Sequence, residues 1–138
     1  DWVVGHVHSG ALGWVAFICF GAIYYLVPVL WKRSGLYSTK MVAWHYWIAT
    51  LGIVLYITSM WVAGIMQGLM WRAYDKFGFL QYSFAESVNA VHPYYVIRML
   101  GGVMFLVGGL MMVFNLIMTV RSSRIELQPA RQSAVAGA

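Results

Sequence analysis

Three apolar segments, each long enough to cross a bilayer, constrain the fold of this chain more than any other feature. They run over about residues 3–31, 41–70 and 94–120. A helix of about 20 apolar residues spans the hydrocarbon core of a membrane. Because lipid offers no hydrogen-bond partners to the backbone, each segment is expected to be helical. The sequence therefore predicts an all-α membrane protein with three transmembrane helices.

The overall composition agrees with lipid as the solvent. Hydrophobic residues make up 62% of the chain and charged residues 9%, whereas ordinary globular proteins contain about 25% charged residues. The net charge is +5, but the Lys and Arg residues are scattered over short connections and the tail. A nucleic-acid-binding protein usually gathers them on one face. We therefore expect a bilayer and no nucleic acid as the partner.

The basic residues predict an orientation for residues 1–121, the helical part of the chain. The connection at 32–40 carries three positive charges, and the tail at 122–138 follows Arg121 and is also basic, whereas the charges of the connection at 72–92 cancel. Positive connections stay on the cytoplasmic side of membranes. We expect the first connection and the tail to be cytoplasmic, and Asp1 and the longer connection to be periplasmic.

The triplet His6-Val7-His8 lies near the start of the first apolar segment. Ionisable residues within a membrane span are costly and usually functional, and neutral imidazole is a common ligand of metals and haem iron. Two positions along a helix differ by about 200°, so the two rings can each bind a different centre but cannot easily share one metal. Small neighbours, Gly5, Ser9, Gly10 and Gly13, leave room for bulky groups; the alternative is that both rings face interfacial water.

Four stretches of the chain resemble one protein family. Residues 1–14, DWVVGHVHSGALGW, look like the tenth helix of the catalytic subunit of cbb3-type cytochrome c oxidases, members of the haem–copper oxidase superfamily. The stretches QGLMWR at 67–72, LQYSF at 80–84 and PYYVIR at 93–98 look like its last loop and final helix. The resemblance covers about residues 1–121. It implies the C-terminal three-helix portion of a twelve-helix bundle.

The resemblance also implies roles for the two histidines. His6 would be the proximal ligand of the haem b3 iron, and His8 would be one axial ligand of the haem b iron. Apart from these haem ligands, the segment would contain no catalytic residue. The ligands of the family's copper would lie upstream, so the segment alone is expected to be inactive. The implied cofactors are haem b, haem b3 and copper.

The activity that the resemblance implies is the reduction of oxygen to water with electrons from cytochrome c, coupled to proton translocation in the bacterial inner membrane. Its partners would be the rest of the catalytic subunit, the c-type cytochrome subunits of the oxidase and cytochrome c. One alternative is the large subunit of nitric oxide reductase, which pairs haem with non-haem iron. Others are a non-catalytic membrane anchor or assembly subunit and, last, a di-haem cytochrome b.

Arg72 and Trp71 close the second apolar segment, on the side of the membrane that carries the histidines. Haem propionates point outward in the family that the chain resembles, and guanidinium groups pair well with carboxylates. We expect Arg72, supported by Trp71, to lie in the haem propionate region. The alternative is an interfacial arginine that extends to water.

Four other polar residues have simpler interpretations. We expect His45 to be packed or interfacial, and His92 to lie where the third helix begins. For Arg98 we expect an acidic partner in the preceding loop, such as Glu86 or Asp75; the alternative is a role near the haem propionates. Asn115 is expected to form an interhelical hydrogen bond.

Overall fold

The computed structural model describes residues 1–122, which form three long helices and two connections. The helices run over Trp2–Leu30, Thr39–Trp71 and Phe84–Arg121. By length and composition, each of the three can cross a membrane. The all-α fold with three membrane-spanning helices is thus confirmed. Apart from Ser122, the predicted tail lies outside the described residues.

The third helix begins at Phe84, so the start expected near residue 94 is wrong. The helix is started by a capping box: the Ser83 hydroxyl accepts from the Glu86 N–H at 3.2 Å, and the Glu86 carboxylate accepts from the Ser83 N–H at 2.7 Å. A hydropathy profile does not detect the first turns of this helix, because they are polar. Pro93 lies inside the helix, where membrane helices tolerate proline. His92 is therefore an exposed residue within the helix and does not mark its start.

The connection before the third helix is a compact turn, shorter than the expected 72–92 loop. The Asp75 carboxylate accepts from the N–H groups of Phe77 and Phe79 at 2.8 and 3.0 Å. Gly78 adopts a φ of 85°, in the left-handed region that glycine enters without steric cost. The connection therefore satisfies its own backbone groups, and it leaves its aromatic side chains exposed.

The second and third helices form the most extensive contact, and they approach each other at glycines. A Cβ atom on Gly52 would lie 2.7 Å from the Gly101 carbonyl oxygen, and one on Gly101 would lie 2.5 Å from the Gly52 oxygen. About two turns further along the third helix, Gly108 faces His45 and Ala49. Because lipid supplies no hydrophobic force between helices, such close backbone packing is a main source of their association.

The first connection is fastened to the end of the third helix. The Asn115 amide accepts from the Ser38 N–H at 3.0 Å and donates to the Ser38 carbonyl at 2.9 Å. The hydrogen bond expected of Asn115 is therefore formed, and its partner is the backbone that caps the second helix. Beside it, the Tyr37 N–H donates to the Thr119 hydroxyl at 2.9 Å, and Arg33 donates to the last carbonyls of the third helix.

The glycine contact gives a first prediction. We expect Gly52→Ala to destabilise the helix pair by about 1–3 kcal/mol, because the added methyl group overpacks a closed contact. Gly68→Ala is the matched control: it lies on the same helix, and no described residue lies within 4 Å of its added Cβ. Unfolding in SDS, followed by circular dichroism, measures both. Equal stability of the two variants would contradict the importance of the Gly52 contact.

The Asn115 contact gives a second prediction. Asn115→Leu should lower stability by about 1–3 kcal/mol, since it leaves the Ser38 backbone groups without partners in a part-buried site. Asn89→Leu replaces an exposed asparagine of the same helix and should change stability little. The same SDS unfolding curve measures both, and a neutral Asn115→Leu would refute the fastening role.

Candidate functional site

The first helix changes its winding directly after the histidines. It is α-helical over Trp2–His8, π-helical over Ser9–Val15 and α-helical again over Ala16–Leu30. A π-helical stretch is rare and frequently marks a functional site. Among residues 1–122, nothing lies within 4 Å of a Cβ atom built on Gly10, so space is open beside this stretch. No residue pattern in the sequence indicated the π-helix.

His8 is held in one orientation by the backbone of its own helix. Its Nδ1 atom lies 2.7 Å from the Val4 carbonyl oxygen, and its ring centroid lies 5.3 Å from that of Tyr56 on the second helix. Because a carbonyl oxygen can only accept, Nδ1 is assigned the hydrogen and Nε2 the lone pair. An imidazole fixed in this way presents Nε2 as a metal ligand. His8 is half-buried.

His6 is exposed among the described residues. Its ring is stacked on that of Trp2, with centroids 5.6 Å apart and planes within 3° of each other. The Ser9 hydroxyl donates to the His6 carbonyl at 2.6 Å. His6 and His8 therefore have different surroundings. Within residues 1–122, no group of three His, Cys, Asp or Glu side chains could hold a metal ion.

Two glycines fix the histidine-bearing turns against the second helix. A Cβ on the buried Gly5 would lie 2.8 Å from Cδ1 of Trp61. A Cβ on Gly64 would overlap the backbone of Trp2. These close approaches set both the depth and the rotation of the first helix. They therefore set the directions in which its two histidines point.

Two tyrosines that the sequence analysis did not single out complete the surroundings. Tyr56 lies against His8, as described above, and the Tyr95 hydroxyl donates to the Asp1 carboxylate at 3.0 Å. Both tyrosines sit among other aromatic and apolar residues, so no local signal distinguishes them. Their positions depend on how the second and third helices pack against the first.

Arg72 and Trp71 are exposed at the end of the second helix. Measured along that helix from Trp61, which lies level with the histidines, Arg72 is eleven residues further, or about 16 Å at 1.5 Å per residue. The structure thus places Arg72 at the same end of the bundle as the histidines but does not bring it into contact with them.

Arg98 does not have the acidic partner that we expected. Its guanidinium carbon lies 4.7 Å from the ring centroid of Tyr95, a cation–π distance. Glu86 is engaged in the capping box and Asp75 in the turn, as described above. Both carboxylates therefore serve local backbone groups, and the aromatic ring one turn earlier is the neighbour of Arg98.

The first helix is the least covered of the three. In its most apolar window, 6% of the residues are buried, against 39% for the second helix. The face that carries His6 thus remains open within this three-helix unit. A buried contact on that face requires further protein or a bound group.

The sequence matches the family "Cytochrome C and Quinol oxidase polypeptide I" over residues 1–104. It is 65% identical, over 128 residues, to the bacteroid cytochrome c oxidase subunit 1 homolog of Bradyrhizobium diazoefficiens, covering 93% of this chain and 23% of that protein. It is 61% identical to cytochrome c oxidase subunit 1 of Rhodobacter capsulatus over 120 residues, 87% of this chain and 23% of that protein.

A third relative is the Cbb3-type cytochrome c oxidase subunit CcoN1 of Stutzerimonas stutzeri, 51% identical over 136 residues, 99% of this chain and 28% of that protein. The chain thus spans about a quarter of the length of the curated relatives that it matches. The match to the family model, the identities and the three membrane-spanning helices agree. The chain belongs to the cytochrome c and quinol oxidase polypeptide I family, the membrane-embedded subunit I of the haem–copper oxidases.

Proposed function

We propose that the chain is the C-terminal part of the catalytic subunit of a cbb3-type terminal oxidase. This oxidase reduces oxygen to water with electrons from cytochrome c and translocates protons. The relative from Stutzerimonas stutzeri, whose name gives the cbb3 type, supports this assignment because it is similar over nearly the whole chain. The segments at 1–14, 67–72, 80–84 and 93–98 that resemble the cbb3 subunit support it independently.

The observation that carries the proposal is the fixed orientation of His8. Its Nδ1 hydrogen is donated to the Val4 carbonyl at 2.7 Å, which leaves the Nε2 lone pair free for iron. His8 would hold the iron of haem b, and His6, on the open face, would hold the iron of haem b3. The open space beside Gly10 leaves room for a bulky group next to the helix.

The two haems and a copper ion, when bound, supply the electron-transfer and oxygen-binding chemistry. The residues of this chain hold and orient the two histidine ligands. Val4 fixes the His8 ring, and Trp2 supports the His6 ring by stacking. The contact at Gly5 sets the depth of both histidines. The copper ligands belong to the preceding part of the subunit. This segment alone is therefore inactive.

Arg72, with Trp71 beside it, is the proposed cation for the haem propionates. Both residues lie at the histidine-bearing end of the bundle, about 16 Å outward of Trp61 along the second helix. Arg72 would hold the propionates where they reach this end of the second helix. A guanidinium group there would offset the negative charge of the propionates. It would also stabilise the reduced form of the haem, although less than a cation next to the iron would.

The proposed orientation places the connection that contains Lys32 and Arg33 on the cytoplasmic side. Asp1 and the turn at 73–83 then face the periplasm of a bacterial inner membrane. The open face of the first helix contacts the rest of the catalytic subunit. The c-type cytochrome subunits of the oxidase deliver electrons from cytochrome c on the periplasmic side.

The histidine assignment predicts different losses for two single substitutions in the complete oxidase. We expect His8→Ala to remove the low-spin haem b signal, because one axial ligand is lost. We expect His6→Ala to keep that signal while abolishing oxygen reduction and carbon monoxide binding. Reduced-minus-oxidised optical spectra and oxygen uptake measure both.

His92→Ala is the control, since His92 is an exposed histidine of the third helix, and it should keep both signals. Full haem content and turnover in the His6 and His8 variants would refute the ligand assignment. A metal assay on the same preparation tests the oxidase type. One copper ion per complex supports the oxidase assignment, whereas non-haem iron without copper would identify a nitric oxide reductase.

The Arg72 assignment predicts a shift of reduction potential. Arg72→Gln removes a positive charge near the haems, so we expect the midpoint potential of haem b to become more negative, because a nearby cation favours the reduced form. Lys76→Gln, on the same connection but stacked over Phe77, is the charge-matched control. A potentiometric titration measures both, and equal shifts would contradict a specific propionate contact.

A further inference from the structure

His45 is buried inside the bundle, as expected of a packed residue, with 2% of its surface exposed. It lies on the second helix, and its Nδ1 atom is 3.0 Å from the hydroxyl oxygen of Tyr24 on the first helix. The ring of Phe20 covers it at a centroid distance of 4.9 Å. An ionisable side chain enclosed in a membrane span is costly to keep, and such residues usually have a function.

The second ring nitrogen of His45 is buried and has no hydrogen-bond partner among the described residues. If Tyr24 donates to Nδ1, then Nε2 carries an unpaired hydrogen; if Nδ1 donates to Tyr24, Nε2 carries an unpaired lone pair. Either tautomer leaves one buried polar atom unsatisfied, and folded proteins rarely keep such atoms without a reason. If this position served packing alone, an apolar residue would fill it without leaving a buried polar atom unpaired.

A cavity of about 240 Å³ lies beside the pair, lined by Tyr24, His45, Tyr46 and apolar side chains. One water molecule occupies about 30 Å³ in the liquid and needs two to four polar partners when it is buried. The Tyr24 hydroxyl and the His45 imidazole, which lie beside the cavity, supply such partners. Within the described residues, Tyr24 and Tyr46 are the titratable groups that line the cavity with His45, and none of the lining side chains is charged. The third helix presents Gly108 to the imidazole.

The pair lies between the basic end of the bundle and the haem-ligand level. His45 is six residues from Thr39, where the second helix begins, and eleven residues before Tyr56, the neighbour of His8. At 1.5 Å per residue these separations are about 9 Å and about 16 Å along the helix. A proton that enters from the basic end therefore meets this pair well before the histidine ligands.

We propose that Tyr24 and His45 form a buried proton-holding site that is reached through the adjacent cavity. A hydronium ion in the cavity gives a proton to the Tyr24 oxygen while the original phenol hydrogen passes to Nδ1 of His45. The products are water, an intact phenol and an imidazolium ion, so one proton is gained and no redox partner is needed. Return of the proton follows the reverse path. The role of this site in proton translocation rests on the proposed function.

The test uses three variants of the complete oxidase in detergent. His45→Gln retains a hydrogen-bonding side chain but cannot be protonated, and Tyr24→Phe removes only the hydroxyl group. Tyr25→Phe is the matched control, because Tyr25 is the adjacent tyrosine and is 72% exposed. Proton uptake on reduction is followed by a pH-indicator dye, together with optical spectra of the haems.

We expect His45→Gln to take up fewer protons than the wild type, by up to one per complex, with unchanged haem spectra. Tyr24→Phe should slow the uptake by a factor of about 100, the typical contribution of a positioned proton-transfer group. Tyr25→Phe should match the wild type. The proposal would be overturned if both His45→Gln and Tyr24→Phe took up as many protons as the wild type, at the wild-type rate. If His45→Gln fails to assemble, the rate measured for Tyr24→Phe decides.

Failure of the proposed function has a different signature. A wild-type complex without haem or oxygen uptake would refute the oxidase assignment and leave the proton site testable. An infrared difference spectrum between acidic and neutral pH then reports the imidazolium bands directly. Bands that disappear in His45→Gln and shift in Tyr24→Phe support the site, and their absence from the wild type refutes it.

Discussion

Close backbone contact at glycines is the constraint on which the rest of this structure depends. Apolar side chains gain no more from each other than from lipid, so the helices associate through tight packing and hydrogen bonds. Gly52 and Gly101 join the second and third helices, and Gly5 and Gly64 join the first helix to the second. A side chain at these positions would separate the backbones, and the histidines of the first helix would move with them.

The candidate site is therefore built from both local and distant contacts. The hydrogen bond from His8 to Val4 spans a single helical turn and needs only the helix itself. The contact of His8 with Tyr56 needs the second helix at the correct depth. The proposed proton-holding pair is entirely tertiary, since Tyr24 and His45 lie on different helices. A shift of the first helix would thus alter the surroundings of His6 and His8 and this pair together.

The sequence predicted the helices well wherever hydropathy is the deciding signal, and it failed where capping decides. The third helix begins at Phe84 and not near residue 94, because the Ser83–Glu86 capping box organises a polar first turn. Arg98 contacts Tyr95 instead of a carboxylate. No residue pattern in the sequence predicted the π-helical segment at Ser9–Val15. Each difference comes from hydrogen bonding or side-chain geometry, which hydropathy does not measure.

The sequence by itself determined that this is a three-helix membrane segment with a His-x-His pair, since bilayer thickness and the cost of unpaired backbone groups leave few alternatives. It also identified the oxidase family through its local motifs. Only the tertiary structure decided that His8 packs against Tyr56, that Asn115 binds the first connection, and that His45 meets Tyr24 beside a cavity. These features depend on the depth and rotation at which helices meet, and close glycine contacts set both.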